Sequence, residues 1–279
     1  MANPDRVLPA AQVAGPLLPW LLATLAPMNR TRVKQLLTHG SVHVNGVSVT
    51  RHDHPLAVGD RVSLGKPRHT SLTVIHEDHS LIVIDKPAGL LTVATDAEKE
   101  DTAFVRLTTM LPTRPAVVHR LDRDTSGLLL FAKSHAIRDT LQAAWDSVEK
   151  TYLAVVSGVP RPASGIIDNY LIETKSLKVR SARSAETLAK RAISRYRVLK
   201  SRGANSLIEV IIETGRKHQI RVHLAGLGTP IVGDTLYGST VNPAGRLGLH
   251  ANRLAFPHPV TAAVTVIESP LPAPLMRIV

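Results

Sequence analysis

Two aspartates stand two residues apart in the segment VVHRLDRDTSGLLLFAKS (117–134): Asp122 follows Arg120-Leu121, and Asp124 follows Arg123. Neighbouring positive charge favours the ionised form of a carboxyl group. That suits a nucleophile or general base and disfavours a general acid, whose pKa must be raised. The same mixture of Arg and Asp also describes a surface ion-pair cluster, and local chemistry does not separate the two readings. Nor does it choose between the carboxylates, since residues two apart in an extended segment point to one side. A second cluster is ETGRKHQIRVHLAGLGTPIVGDTLYG (213–238), where Arg216, Lys217, His218, Gln219, Arg221 and His223 fall within eight positions. His218 and His223 are five apart with no carboxylate between them, unlike helical zinc ligands at i, i+4, which points away from a metal site. A helix opening near Lys217 would carry Arg221 inward and offer its guanidinium to a carboxylate elsewhere in the fold.

Such groups need elements to hold them. Leu128 to Ala132 is a continuous apolar run and reads as a buried strand, with Thr125-Ser126-Gly127 as turn chemistry leading into it. His119 to Asp124 then lies in the entering loop, near the surface but anchored by the core. Upstream, SLTVIHEDHSLIVIDKPAGLLTV (71–93) holds two strand-like runs around His76-Glu77-Asp78-His79, and the turn Lys86-Pro87-Ala88-Gly89 ends the second. Ile137, Leu141, Trp145 and Val148 fall at helical spacing, predicting an amphipathic helix over 135–148. Strands are expected over 151–157, 192–199 and 206–214. Strands with few helices and no regular alternation predict an α+β domain with a largely antiparallel or mixed sheet over 71–279.

Residues 1–15, rich in Ala and Pro without periodicity, read as a loose tail. A compact pattern occupies 16–65: Asn29 is placed to cap a helix whose Val33, Leu36 and Leu37 share a face, and Gly40 to end it. Asn45-Gly46 between alternating valines is a strong hairpin signal, and a further strand is expected over 61–64. Residues 66–70, KPRHT, read as a linker.

The chain of 279 residues carries a net charge of +12, which favours polyanionic partners, nucleic acid first. Residues 1–65 hold six Lys/Arg against three Asp, a net +3, leaving +9 for the remainder, so both parts are basic. There is no cysteine, which excludes disulfides, thiolate metal sites and cysteine nucleophiles. The apolar stretch 15–27 contains Pro16 and Pro19 and lacks a signal-peptide cleavage pattern, and no run reaches a membrane span's length. A cytoplasmic protein without a membrane partner is expected.

HRLDRDTSG, preceded by DKPAGL and followed by KTYLAVVSG (150–158), TGRKHQIRVHLAGLGTPIVGD and LHANRLAFPHP (249–259), resembles the RluA-type branch of the pseudouridine synthases, with the motifs in the family's order. The helix, Gly and V-x-V-N-G pattern of 16–65 similarly resembles the S-four-like RNA-binding domain. Its first helix departs from that family, with Leu18-Pro19-Trp20-Leu21 where an Arg-Leu-Asp-like start is usual. The resemblance implies Asp122 as the catalytic aspartate, Tyr152 against the target base, and Arg221 paired with the aspartate. Arg120 is then the arginine able to occupy the space of a flipped base. Arg30, Arg32 and Lys34 become RNA contacts of the small domain, while Lys86 and Pro87 belong to a chiefly structural motif. Lys217 stands where the family often has Ser or Thr.

Isomerising uridine is neither redox chemistry nor net hydrolysis, so no cofactor or metal is expected. The residue types leave three roles open for Asp122: attack on the ribose, attack on the pyrimidine, or proton abstraction at the ribose. Ribosomal RNA of the large subunit is the expected substrate, transfer RNA the second, and a monomer the default. Two rivals remain: a glycosidase would need a second carboxyl kept protonated, which the arginines oppose, and a non-catalytic ribosome-assembly factor would explain the charge but not the Asp, Tyr and Arg positions.

Overall fold

The computed structural model describes residues 6–38, 40–65, 72–96, 101–174, 178–184 and 186–279. The chain divides into two compact units, 1–71 and 72–279. The expected linker over 66–70 lies outside the described residues. Among the described residues no helix is long and apolar enough to cross a membrane.

The smaller unit runs β1 (Arg6–Val7), β2 (Gly15–Pro16), α1 (Leu17–Thr24), α2 (Arg30–Thr38), β3 (Val42–Val44), β4 (Val47–Ser48), β5 (Pro55–Leu56) and β6 (Val62–Leu64). Asn29 Oδ1 accepts the Arg32 backbone N–H at 2.9 Å, starting α2 where the sequence places it. Val33 and Leu37 are buried against α1, and Gly40 closes the helix at φ 67°. Asn45 and Gly46 both take left-handed φ, 51° and 81°, as a two-residue hairpin between right-twisted strands requires. The tail reading fails from Arg6 onward. Strand β1 pairs with β6, and Leu8 and Ala11 are buried in the core. Two inward residues spaced three apart are too short a pattern for periodicity to register.

The larger unit runs β7 (Thr73–Glu77), β8 (Leu81–Lys86), α3 (Ala103–Met110), β9 (Ala116–Val117), β10 (Ser126–Ala132), α4 (His135–Ala143), β11 (Glu149–Ser157), β12 (Ser164–Glu173), β13 (Val179–Ala182), β14 (Lys190–Arg202), β15 (Asn205–Ile212), α5 (Gln219–Gly226), β16 (Leu249–Pro257), β17 (Val264–Glu268) and α6 (Ala273–Met276). The strands form one mixed sheet, ordered β13-β12-β14-β15-β11-β16-β10-β8-β7, with β17 on β16 and β9 on β10. Among the strand pairs of the described residues, the β10–β16 pair alone is parallel. This is the α+β class expected from the sequence.

Strand β10 is the keystone. Leu128 and Leu130 pack with Leu141, Val148 and Phe256 on one face, while Leu129 and Phe131 pack with Ile82, Ile84 and Leu107 on the other. Burial on both faces explains its unbroken apolar run. Each such side chain stabilises by roughly 1.5–3 kcal/mol. At its start Gly127 takes φ 112°, and a Cβ there would lie 2.2 Å from the Ala251 carbonyl oxygen. Only glycine lets β16 approach so closely. The expected helix over 135–148 is shorter: α4 ends at Ala143, and a 3-10 turn, Trp145–Ser147, carries the chain to Val148. Ser147 Oγ donates to the Ala144 carbonyl at 2.7 Å and tightens that turn, so Val148 still reaches the core.

Candidate active site

Asp122 opens a tight turn, its carbonyl accepting the Thr125 N–H at 3.2 Å. The segment is therefore not extended, and Asp122 and Asp124 do not share a side: they line different pockets. Side chains distant in sequence clamp this loop. Thr92 Oγ1 donates to the Leu121 carbonyl at 2.9 Å and accepts the Leu121 N–H at 3.1 Å. His119 Nε2 accepts the Leu130 N–H at 3.0 Å while its ring stacks on Trp145. The Arg123 carbonyl takes two donors, the Gly89 N–H at 2.9 Å and Lys86 Nζ at 3.0 Å.

Lys86 is fully buried, and its ammonium also donates to the carbonyls of Pro87 and Leu90 at 3.0 and 2.7 Å. Burial pushes its pKa down to about 7, against the opposing pull of Asp124 and Asp122. The motif taken as structural is thus a bolt through the Asp122 loop. Lys86→Met is expected to destabilise by about 2 kcal/mol, since orphaned buried carbonyls cost about 1–3 kcal/mol each, and to lower turnover further by loosening the loop. The unfolded chain holds the Lys86 proton up to about 10.5, so wild type gains stability relative to the variant as pH rises from about 7 to 10.5. Urea denaturation at pH 7 and pH 9 measures both effects.

Helix α5 begins two residues later than the sequence suggests. Gln219 fixes its start: Oε1 accepts from Thr214 Oγ1 and the Arg216 N–H, and Nε2 donates to the Ile193 carbonyl and Ser194 Oγ. His223 is buried beside it, with Ser194 Oγ and Asn169 Oδ1 on its two nitrogens at 2.9 Å, and burial pushes its pKa down to about 4. Arg221 does point inward, but its carboxylate is Asp234 rather than Asp122. The pair is bidentate, Nε to Oδ2 at 2.7 Å and Nη2 to Oδ1 at 2.8 Å, with side chains only 8% and 1% exposed. The fork uses two of the five guanidinium N–H groups and balances the Arg221 charge, and Asp122 is not among its hydrogen-bond partners. Tyr237 lies 5.0 Å beneath the Arg221 guanidinium.

His218 holds φ 53° at the N-terminal boundary of α5. Its Nδ1 lies 2.7 Å from Tyr237 Oη, and its Nε2 3.9 Å from Asp122 Oδ2. Tyr237 Oη accepts the Val179 N–H at 3.1 Å and has a proton to offer His218 Nδ1. In that tautomer the neutral ring carries its proton on Nε2, toward Asp122. Burial lowers the His218 pKa below its ordinary value, partly opposed by Asp122, so the ring is neutral at pH 7.

Tyr152 comes from β11 at a bulge: Thr151 pairs with Arg253 but Tyr152 with Ala251, skipping Asn252. Bulges of this kind re-aim a side chain. Burial first, and the charge of Asp122 second, push the Tyr152 pKa well up, so it stays a phenol.

These stretches meet in one cleft of about 450 Å³, solvent included, lined by Arg120, Asp122, Tyr152, His218 and Arg221 with Ile212 and Leu249 as apolar wall. Arg120 is exposed at its edge. Arg30, Arg32 and Lys34 lie on α2 of the other unit, Arg30 and Lys34 exposed and Arg32 half-buried. His218, Asp234, Tyr237 and Thr92 enter the site without having been assigned a role from the sequence. Asp234 and Tyr237 stand in the quoted GTPIVGDTLYG stretch, and a buried Arg in search of a carboxylate was the available signal. Among the described residues, no group of three or more His, Asp or Glu is arranged to hold a metal ion.

The cleft thus sets a carboxylate beside a protonated phenol, over an apolar wall and under an exposed arginine. The model of the RNA pseudouridylate synthase family matches residues 80–226. The chain is 32% identical over 281 residues to the uncharacterized RNA pseudouridine synthase YhcT of Bacillus subtilis, covering 93% of this chain and 92% of that one. It is 34% identical over 289 residues to the ribosomal large subunit pseudouridine synthase D of Xylella fastidiosa, covering 92% and 86%. Among solved structures, human RNA pseudouridylate synthase domain containing 4 superposes with a TM-score of 0.61 at 26% identity, over 74% of this chain and 92% of that one. The chain therefore belongs to the RNA pseudouridine synthase family and is an isomerase.

Proposed function

We propose that the protein isomerises specific uridines of large-subunit ribosomal RNA in the cytoplasm, with Asp122 as the group that attacks or deprotonates the target nucleoside. The observation that carries this reading is the meeting of Arg120 and Asp122 from one stretch, Tyr152 from a second and Arg221 from a third in a single cleft. The printed name of the Xylella relative supplies the RNA class. In the reaction the bond from ribose C1′ to base N1 breaks, the uracil turns, and C1′ joins C5. The C5 proton leaves to solvent, and N1 ends protonated. The uridine must leave its stack at a cost of a few kcal/mol, which contact with Tyr152, the apolar wall and backbone contacts offset. Arg120 fills the space it vacates. The small unit, through Arg30, Arg32 and Lys34, grips RNA in the manner of an S-four-like domain, and the enzyme works as a monomer.

Tritium release from [5-³H]uridine-labelled, unmodified transcripts reads the C5 proton directly. Release from large-subunit ribosomal RNA at stoichiometric levels is expected, with none from transfer RNA transcripts; the reverse would move the substrate assignment to transfer RNA. Tyr152→Phe keeps the ring and removes the hydroxyl. Turnover is expected to fall about 10²-fold, the scale of a positioned proton-transfer group, with RNA affinity unchanged in the same samples. Wild-type turnover in this variant would confine Tyr152 to stacking.

A further inference from the structure

A second pocket adjoins the Asp122 cleft and shares His218 and Arg221 as walls; Asp234, Leu247, Arg246 and Asp124 also line it. The Arg221 charge is closed by Asp234, and Asp124 stands exposed without a hydrogen bond to Arg246. Arg246, half-buried, is the guanidinium of this pocket with no carboxylate upon it among the described residues. Its Nε–H goes to the Leu247 carbonyl at 3.2 Å and one Nη2 proton to Ser126 Oγ at 2.5 Å. Three of its five N–H groups remain without a partner among the described residues.

What holds Arg246 is a buried, directed chain. Ser126 Oγ accepts from Arg246 and lies 2.8 Å from His250 Nδ1. Ser269 Oγ donates to Asp85 Oδ2 at 3.1 Å, so at its 3.2 Å contact with His250 Nε2 the hydroxyl must accept. His250 Nε2 therefore carries the proton and Nδ1 accepts from Ser126. Every donor points the same way, from the Arg246 guanidinium through Ser126, His250 and Ser269 to the Asp85 carboxylate. Ser126, His250 and Ser269 are all at most 2% exposed. Charge balance is thus supplied from behind, through neutral groups, and the front of the fork stays open to the pocket. Ser126 also begins β10, four residues after Asp122, so the arginine is registered against the reacting carboxylate.

We propose that Arg246 binds a backbone phosphate of the RNA next to the target uridine, held in position by the Ser126–His250–Ser269–Asp85 chain. This rests on the reading of the neighbouring cleft as the uridine site. A guanidinium fork matches two phosphate oxygens at once. It fixes the register of the strand and leaves the chemistry to Asp122.

The test uses the full chain and an unmodified large-subunit ribosomal RNA transcript, with binding and tritium release measured separately. Arg246→Gln is expected to bind about tenfold or more weakly, as for a lost charge-assisted hydrogen bond. The slope of log K against log salt is expected to fall by about 0.7–0.9, one phosphate contact. KM rises while kcat at saturating RNA is retained, and Arg246→Lys keeps the slope. An unchanged slope in a folded Arg246→Gln overturns the proposal. Should that variant lose the wild-type melting transition, ethylation interference on wild-type complexes decides instead: a phosphate within one nucleotide of the modified uridine must be sensitive, and none being so overturns it. A transcript that binds but is never modified contradicts the substrate reading, while the slope comparison still judges Arg246.

Discussion

Asp122→Asn forms no measurable pseudouridine: turnover is expected to fall by at least about 10³-fold, the scale seen when the group that makes or breaks the covalent bond is removed. The amide keeps the shape of the side chain and its place at the head of the 122–125 turn, so the loop clamps from Thr92, Lys86 and Gly89 persist. What is lost is the charge. An amide is no nucleophile and no base, whichever of the three roles the carboxylate plays. RNA binding is expected to hold, because the phosphate contacts that dominate affinity are made elsewhere. Filter binding and tritium release on the same preparation separate the two effects. Asp124→Ala, two residues on, is expected to keep activity, since Asp124 stands outside the Asp122 cleft.

Asp234→Asn is expected to cost about 3–5 kcal/mol of stability, because it strands the buried Arg221 guanidinium without its carboxylate. Urea or thermal denaturation reads this directly. Activity falls with it for a second reason: the Arg221 fork, the Tyr237 ring beneath it and the His218 imidazole hydrogen-bonded to Tyr237 form one assembly against Asp122. Releasing one end frees the His218 ring that faces the carboxylate. The double change Arg221→Met with Asp234→Leu removes both charges, and is expected to be less destabilised than Asp234→Asn alone yet still poorly active. Recovery of stability together with full activity would show that the pair serves folding alone.

Much of this was legible where the signal is local. The α2 cap at Asn29, the Asn45-Gly46 turn and the doubly buried β10 each announce themselves within a few residues, and the structure has them at those places. The site residues of the motifs also meet in space. Contacts between distant parts of the chain were not legible. Lys86 reaches the Arg123 carbonyl across 37 residues and Thr92 the Leu121 carbonyl across 29; no periodicity encodes such a bond. Arg221 illustrates the limit best. Its inward direction follows from the helix, but the choice of Asp234 over Asp122 depends on how a loop thirteen residues on returns beneath α5. The divergence of Asp122 and Asp124 likewise depends on a turn that the word "loop" conceals.

The central claim, that Asp122 isomerises a uridine in large-subunit ribosomal RNA, is tested most directly by mapping pseudouridines in cells lacking the gene and in the same cells complemented with wild type, Asp124→Ala and Asp122→Ala. The account predicts at least one large-subunit pseudouridine absent from the deletion strain, restored by wild type and by Asp124→Ala, and not restored by Asp122→Ala. Restoration by Asp122→Ala, or a deletion strain whose large-subunit pseudouridines are all intact, would contradict it.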